Sequence, residues 1–138
     1  MSDVANKSVV LNGNLKDLDY LNYYFAKTET RHGLWQVCIK DIAISFFEDI
    51  NVIVQITTNL VIDQRIQNYK HETFNPIIST VLIKGKNGEK KLQQMEKTWF
   101  EVNKPDSEVK IFFKNAENNL IVNQNCTVFV SLLLKQIK

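Results

Sequence analysis

Hydrophobic and polar positions alternate with period two along most of this chain, and the closing stretch shows it most clearly. Val109, Ile111 and Phe113 stand against Lys110, Phe112 and Lys114, and Asn115-Ala116-Glu117-Asn118-Asn119 interrupts them. Leu120 to Val122 resumes, Asn123-Gln124-Asn125 punctuates, and Val128, Val130, Leu132 and Leu134 repeat at period two. Side chains of a strand point alternately to its two faces. The pattern therefore predicts a strand, a turn, a short extended piece and a long terminal strand. Phe129 and Leu133 occupy the other face of that last strand, so both of its faces are apolar. Such a strand is expected to be internal to its sheet or covered by another chain, because exposed it would pair with anything available.

The same reading runs back along the chain. Trp35, Val37 and Ile39 alternate with Gln36, Cys38 and Lys40; the alternation slips by one at Lys40-Asp41 and resumes as Ile42, Ile44 and Phe46. A one-residue slip moves every following side chain to the opposite face, so it requires a bulge, a bend or two separate strands. Glu48-Asp49 reads as a turn. Ile50, Val52, Val54, Ile56 and Thr58 form the next strand, and Ile53 makes its second face partly apolar, as in a central strand. Residues 59–75 are the least regular, with short extended pieces at Val61-Ile62 and Arg65-Ile66. Ile77 to Lys84 is a strand. Asn87-Gly88 then predicts a tight hairpin whose return limb is Lys90 to Lys97. Thr98 to Val102 is a strand, and the turn at Asn103–Ser107 carries Pro105. About eight short strands separated by turn residues predict an all-β protein, an antiparallel sandwich or barrel rather than alternating β and α units.

The first thirty residues break this pattern. Ser8 to Leu11 reads as a short edge strand and Asn12-Gly13 as a turn. Leu15, Leu18, Leu21 and Phe25 then recur near helical spacing, with Asn14 placed to cap and Asp17 to complete the cap. The run Tyr20, Tyr23 and Tyr24 reads equally as an extended arm packing on a neighbouring subunit. The expected organisation is an arm or short helix over residues 1–30 and a single sandwich domain over residues 31–138.

Composition narrows the function more than the fold. A chain of 138 residues makes one domain. Its net charge of +2, with both signs interspersed, leaves no electrostatic footprint for nucleic acid. No apolar run is long enough to span a membrane as a helix, and Met1-Ser2-Asp3-Val4-Ala5 lacks the basic and apolar regions of a signal peptide. Cys38 and Cys126 are expected as buried, reduced thiols that pack as small hydrophobes. His32 and His71 have no partner at metal-ligand spacing, and no serine elbow, phosphate-binding glycine loop or Cys-x-x-Cys occurs. The expectation is a protein that is not an enzyme and takes no cofactor or metal. The basic residues Lys84, Lys86, Lys90 and Lys91 read as a solvated hairpin tip. Trp35 and Trp99 each begin a strand, where a ring serves either a sandwich core or, in a carbohydrate-binding module, stacking on a sugar.

The segment from Glu108 to Ile121, followed by Thr127 to Leu134, resembles the C-terminal part of small virion proteins encoded by Polinton/Maverick and adintovirus-like elements. There an alternating strand leads into a polar turn, a leucine and a closing Val-x-Val-x-Leu strand. The aspartate-glycine turn of that pattern is replaced here by Asn115-Ala116-Glu117-Asn118-Asn119. The resemblance implies an antiparallel β-sandwich of jelly-roll type, a module of a minor capsid, penton or fibre-type protein, made in the host cytoplasm and located in the virion, with other capsid proteins as partners. It supplies no active-site residues. The expected activity is symmetric self-assembly into a homo-oligomer, a trimer or pentamer, through Tyr20, Tyr23, Tyr24, Phe25, Phe129 and Leu133. The alternative is a carbohydrate- or receptor-binding β-sandwich using Trp35 and Trp99.

Overall fold

In the computed structural model, residues 6–24, 34–59, 77–95, 98–103 and 108–137 are described. They form nine strands: β1 (Asn6–Asn14), β2 (Leu21–Tyr24), β3 (Leu34–Phe46), β4 (Ile50–Thr58), β5 (Ile77–Gly85), β6 (Lys90–Gln94), β7 (Phe100–Asn103), β8 (Glu108–Asn115) and β9 (Cys126–Ile137). One sheet has the order β1-β9-β3-β6, with β7 also on β3; the other has the order β2-β8-β4-β5. Every pairing is antiparallel. β6 and β7 pair with successive parts of β3, Asp41–Ser45 and Leu34–Val37, and so share one strand position. The nine strands thus fill eight positions, four in each sheet, and apart from β4-β5 and β6-β7 each strand is followed by one in the opposite sheet, the jelly-roll order.

The core is the space between the sheets. From β9 come Val128, Val130, Leu132 and Leu134, each at most 2% exposed. They meet Val54 and Ile56 of β4, Ile111 and Phe113 of β8, and Ile83 of β5 in one continuous cluster. Burying an aliphatic side chain of this size contributes about 1.5–3 kcal/mol. β9 is an internal strand, paired along its length with β1 on one edge and β3 on the other, as its two apolar faces required. β4 is likewise internal, between β8 and β5.

The slip in the Lys40 region is a β-bulge. β3 pairs Ile39 with Leu132 and Asp41 with Ser131, so Lys40 is the extra residue, and it is exposed. The bulge returns Ile42, Ile44 and Phe46 to the core side already used by Trp35, Val37 and Ile39. The turn after β8 also follows the pattern. Asn119 takes φ 60°, a region asparagine tolerates, and the Asn115 side chain accepts from the Glu117 amide at 2.7 Å. Ile121 then bridges back to Lys114 as the short extended piece.

Three expectations are corrected. Residues 14–24 hold no helix: the amides of Asp17 and Leu18 both donate to the Asn14 carbonyl, at 3.1 Å each, and the chain then enters β2, whose Leu21 and Tyr23 pair with Ile111 and Val109. The helical spacing of Leu15, Leu18 and Leu21 arises from a single turn followed by a strand; Leu15 and Leu21 are buried and Leu18 is not. Residues 6–24 are therefore part of the sandwich and not an arm ahead of it. Phe25, His32, His71 and the expected pieces at Val61-Ile62 and Arg65-Ile66 lie outside the described residues.

The third correction concerns Asn87-Gly88. The turn forms, with the Glu89 amide on the Lys86 carbonyl at 2.9 Å, but it is not a hairpin. β5 pairs with β4 in one sheet and β6 with β3 in the other. A two-residue hairpin turn of the I′ kind needs positive φ at both central residues, whereas here only Gly88 has it, at 91°. The turn splays the two strands and carries the chain between sheets. It is fixed from beneath: Phe46 exchanges backbone bonds with Gly88 and Glu89 at 2.8 and 2.9 Å, and Asp49 accepts from the Asn87 amide at 2.9 Å. Gly85 precedes it flat against the buried Phe46 ring, where an added Cβ would lie 2.5 Å from a ring carbon. Gly85→Ala must displace that ring and is expected to lower unfolding free energy by about 1–3 kcal/mol. Urea denaturation checks this; a variant as stable as the parent would show that the Phe46 contact is not tight.

Candidate functional site

Among the described residues no group of three or more His, Cys, Asp and Glu side chains is gathered as a metal site would need. No helix among them is long and apolar enough to cross a membrane. What the strands do gather lies on the two outer sheet faces and at the sandwich edges.

On the β1-β9-β3-β6 sheet, directly opposed residues share a face. The register places Asn12, Phe129, Ala43 and Leu92 in one outward row across four strands. Phe129 is 41% exposed and Leu92 is 62% exposed. Val10 adds a further exposed apolar side chain on β1. Beyond the row of Val10, Ser131 and Asp41, the following outward row holds Ser8, Leu133 and Cys38, with Cys38 buried. Trp99, just before β7, meets Lys135 across β3, the ammonium 5.2 Å from the ring centroid. A hollow of about 420 Å³ opens here, lined by Lys7, Ser8, Trp99, Leu133, Leu134 and Lys135.

The outer face of the second sheet is organised differently. Tyr20 lies against Phe112 at 5.4 Å between centroids, with the Lys110 ammonium 4.9 Å over its ring. Glu108 accepts from the Asn22 amide at 2.8 Å and pairs loosely with Lys110 at 3.9 Å. A hydrogen bond from the Tyr24 hydroxyl to Glu108, together with that carboxylate's charge, raises the tyrosine above its ordinary value. Further along, Ile53 and Leu82 stand directly opposite one another, both exposed.

The residues expected to form one assembly surface are thus divided. Tyr20 and Tyr24 belong to the β2-β8 side of one sheet, while Phe129 and Leu133 belong to the outer face of the other. Tyr23 turns inward and packs against the core. The two tryptophans also part company. Trp35 is 3% exposed, inside the sandwich, so it has no free ring face for a sugar and the expected stacking role is withdrawn for it; its alternation with Val37 and Ile39 already placed it on the core side. Trp99 is half-exposed. The hollow beside it had no local signal in the sequence, because Lys7, Trp99 and Lys135 come together only through the pairing of β1, β3 and β9.

The edges between the sheets are guarded by polar groups. The Lys91 ammonium reaches from β6 to the Lys84 carbonyl on β5 at 2.7 Å, spanning one open edge. Beside it, a cleft of about 370 Å³ is lined by Ile39, Ile78–Val81, Gln93–Met95 and Thr98.

The end of the sandwich near Phe46 is a bonded corner. Asn14 donates to the Asn125 side chain at 2.9 Å, the Asn125 amide donates to Glu48 at 2.8 Å, and the Leu15 amide donates to the Cys126 carbonyl at 3.0 Å. Cys126 and Cys38 are both buried, and neither is in a disulfide. Burial, helped by the Glu48 charge, pushes Cys126 up to about 11.

The chain matches no protein-family model and no curated protein.

A raised thiol pKa makes folding favour the protonated form. The contribution of Cys126 is complete below the unfolded value near 9.0 and is lost as pH climbs toward 11. Over that window the loss amounts to about 2–3 kcal/mol. Denaturant melts at pH 8 and pH 11 should show it, and Cys126→Ala should show a smaller drop. An identical pH dependence in parent and variant would remove the thiol as the cause.

Proposed function

We propose that this chain is a virus- or transposon-encoded virion structural protein that acts by symmetric self-assembly. The observation that carries the reading is the outward apolar row of Phe129, Ala43 and Leu92, with Val10 beside it, on one sheet of a jelly roll. Jelly rolls recur in capsid proteins, and a contiguous apolar surface on a folded domain marks an interaction site. The resemblance of Glu108–Leu134 to virion proteins of Polinton-type elements supports the capsid context. In this reading copies of the chain, and other capsid proteins, bury the row. A stable subunit interface of this kind removes about 800 Å² from water on each partner. A closed ring repeats the same contact, giving a trimer or pentamer. Tyr24, 69% exposed on the opposite sheet, is the tyrosine best placed among the described residues to reach a neighbour.

A second reading, a carbohydrate-binding module, is favoured by one observation, the half-exposed Trp99 beside its hollow.

Light scattering coupled to size exclusion at micromolar concentration tests the first reading. The expected mass is three or five times the 16.0 kDa of one chain. The pair Phe129→Lys and Leu92→Lys should weaken association by at least about tenfold while leaving the β-sheet circular dichroism intact. A parent protein that stays monomeric would overturn self-assembly.

A further inference from the structure

We infer that the hollow beside Trp99 is a binding site for a sugar ring bearing a carboxylate, such as a hexuronic or sialic acid unit. The inference rests on the carbohydrate-binding reading and specifies its ligand; it does not depend on self-assembly. Three features of the hollow support it.

The first is charge. Two of its six lining residues are lysines, Lys7 and Lys135, and none is acidic. Glu101 sits in the same outward row as Lys135, but two strands away across Gln36, about 10 Å at ordinary strand spacing. A chain of net charge +2 thus concentrates cations at one small depression.

The second is the pairing of an aromatic ring with a cation. The Lys135 ammonium lies over the Trp99 ring, which holds the long side chain in place before any ligand arrives. A carboxylate that binds this ammonium is delivered next to the indole, so that a ring carrying the carboxylate lies against the aromatic surface. The C–H face of a sugar is apolar enough to rest on an indole and on Leu133, while its hydroxyls remain free to bond. Ser8 supplies a hydroxyl at the same rim.

The third is size. About 420 Å³ lies in the range that holds a small ligand. An extended peptide would have to run beyond the hollow. The other cleft, at the β5-β6 edge, is of similar size but different chemistry: its lining holds two glutamines, a serine and two threonines but no charged side chain and no aromatic ring. The selectivity is therefore a property of the Trp99 hollow and not of depressions in this fold generally.

Fluorine NMR on the full chain labelled with 5-fluorotryptophan tests the proposal in whatever oligomer the protein forms. It contains two tryptophans, so two resonances are expected, and Trp99→Phe assigns them. Titration with glucuronate should move the Trp99 signal and leave that of the buried Trp35 in place. Methyl glucoside, which has the ring without the charge, and N-acetylglutamate, which has the charge without the ring, should bind at least about tenfold more weakly. Lys135→Gln should bring glucuronate down to the level of the neutral sugar. Equal responses to glucuronate and methyl glucoside would overturn the acidic ligand while leaving sugar binding standing. An equal response to N-acetylglutamate would point to an acidic protein segment and overturn the sugar. No response to any sugar, or a shift of Trp35 alone, would overturn both the inference and the carbohydrate-binding reading.

Discussion

The structure depends on β9 being paired along both edges. Twelve residues long, it carries Val128, Val130, Leu132 and Leu134 to the core and the partner hydrogen bonds of β1 and β3 to the sheet. A strand apolar on both faces has no stable place at a sheet edge, where its backbone groups would be open to other chains. Placing it second in the order shields those groups. That placement requires β1, from the other end of the described chain, to cover it, and requires β3 to be long enough to match it. The outward Phe129 and Leu133 follow from the same choice, since an internal strand still has two faces and only one can meet the core.

What was legible in the sequence was what depends on period and on single turn residues. The alternation in β3, β4, β8 and β9 gave their faces, and the missed beat at Lys40 marked an irregularity, open between a bulge, a bend and two strands, which is a bulge. Asparagine at the turn after β8 gave a residue able to hold the left-handed conformation. What was not legible was pairing. Asn87-Gly88 carries a turn signal, but the dipeptide does not say whether the strands on either side join one another or two different neighbours. The decision is made by Phe46 and Asp49, which bond to the turn from a distant part of the chain. Leu15, Leu18 and Leu21 failed for the opposite reason: one helical turn followed by a strand imitates helical spacing over a few residues, and the β2 pairing with β8 overrides it.

The candidate sites were hidden for the same reason as the pairings. Phe129 could be assigned to an outward face, but its row-mates Ala43 and Leu92 are identified only by register. Trp35 and Trp99 look alike in sequence, each opening a strand. One falls on the inward beat of a long strand and is enclosed. The other stands outside the regular alternation, ahead of β7, and its ring stays at the surface beside Lys135.

The pairing of β1 with β9 has a further consequence, for the order of folding. Asn6 opposes Lys135 and Asn14 opposes Thr127, so the first described strand finds its partner in the last. Contacts between such distant segments are slow to form, because a long loop must close before any of them is made. During synthesis the β2-β8-β4-β5 sheet has all its strands before β9 emerges, while β1 still lacks its pairing partner and β3 is paired only with β6 and β7. The two halves of the sandwich therefore come together on different clocks, and the interval between them is when the nascent chain is most exposed to association with its neighbours.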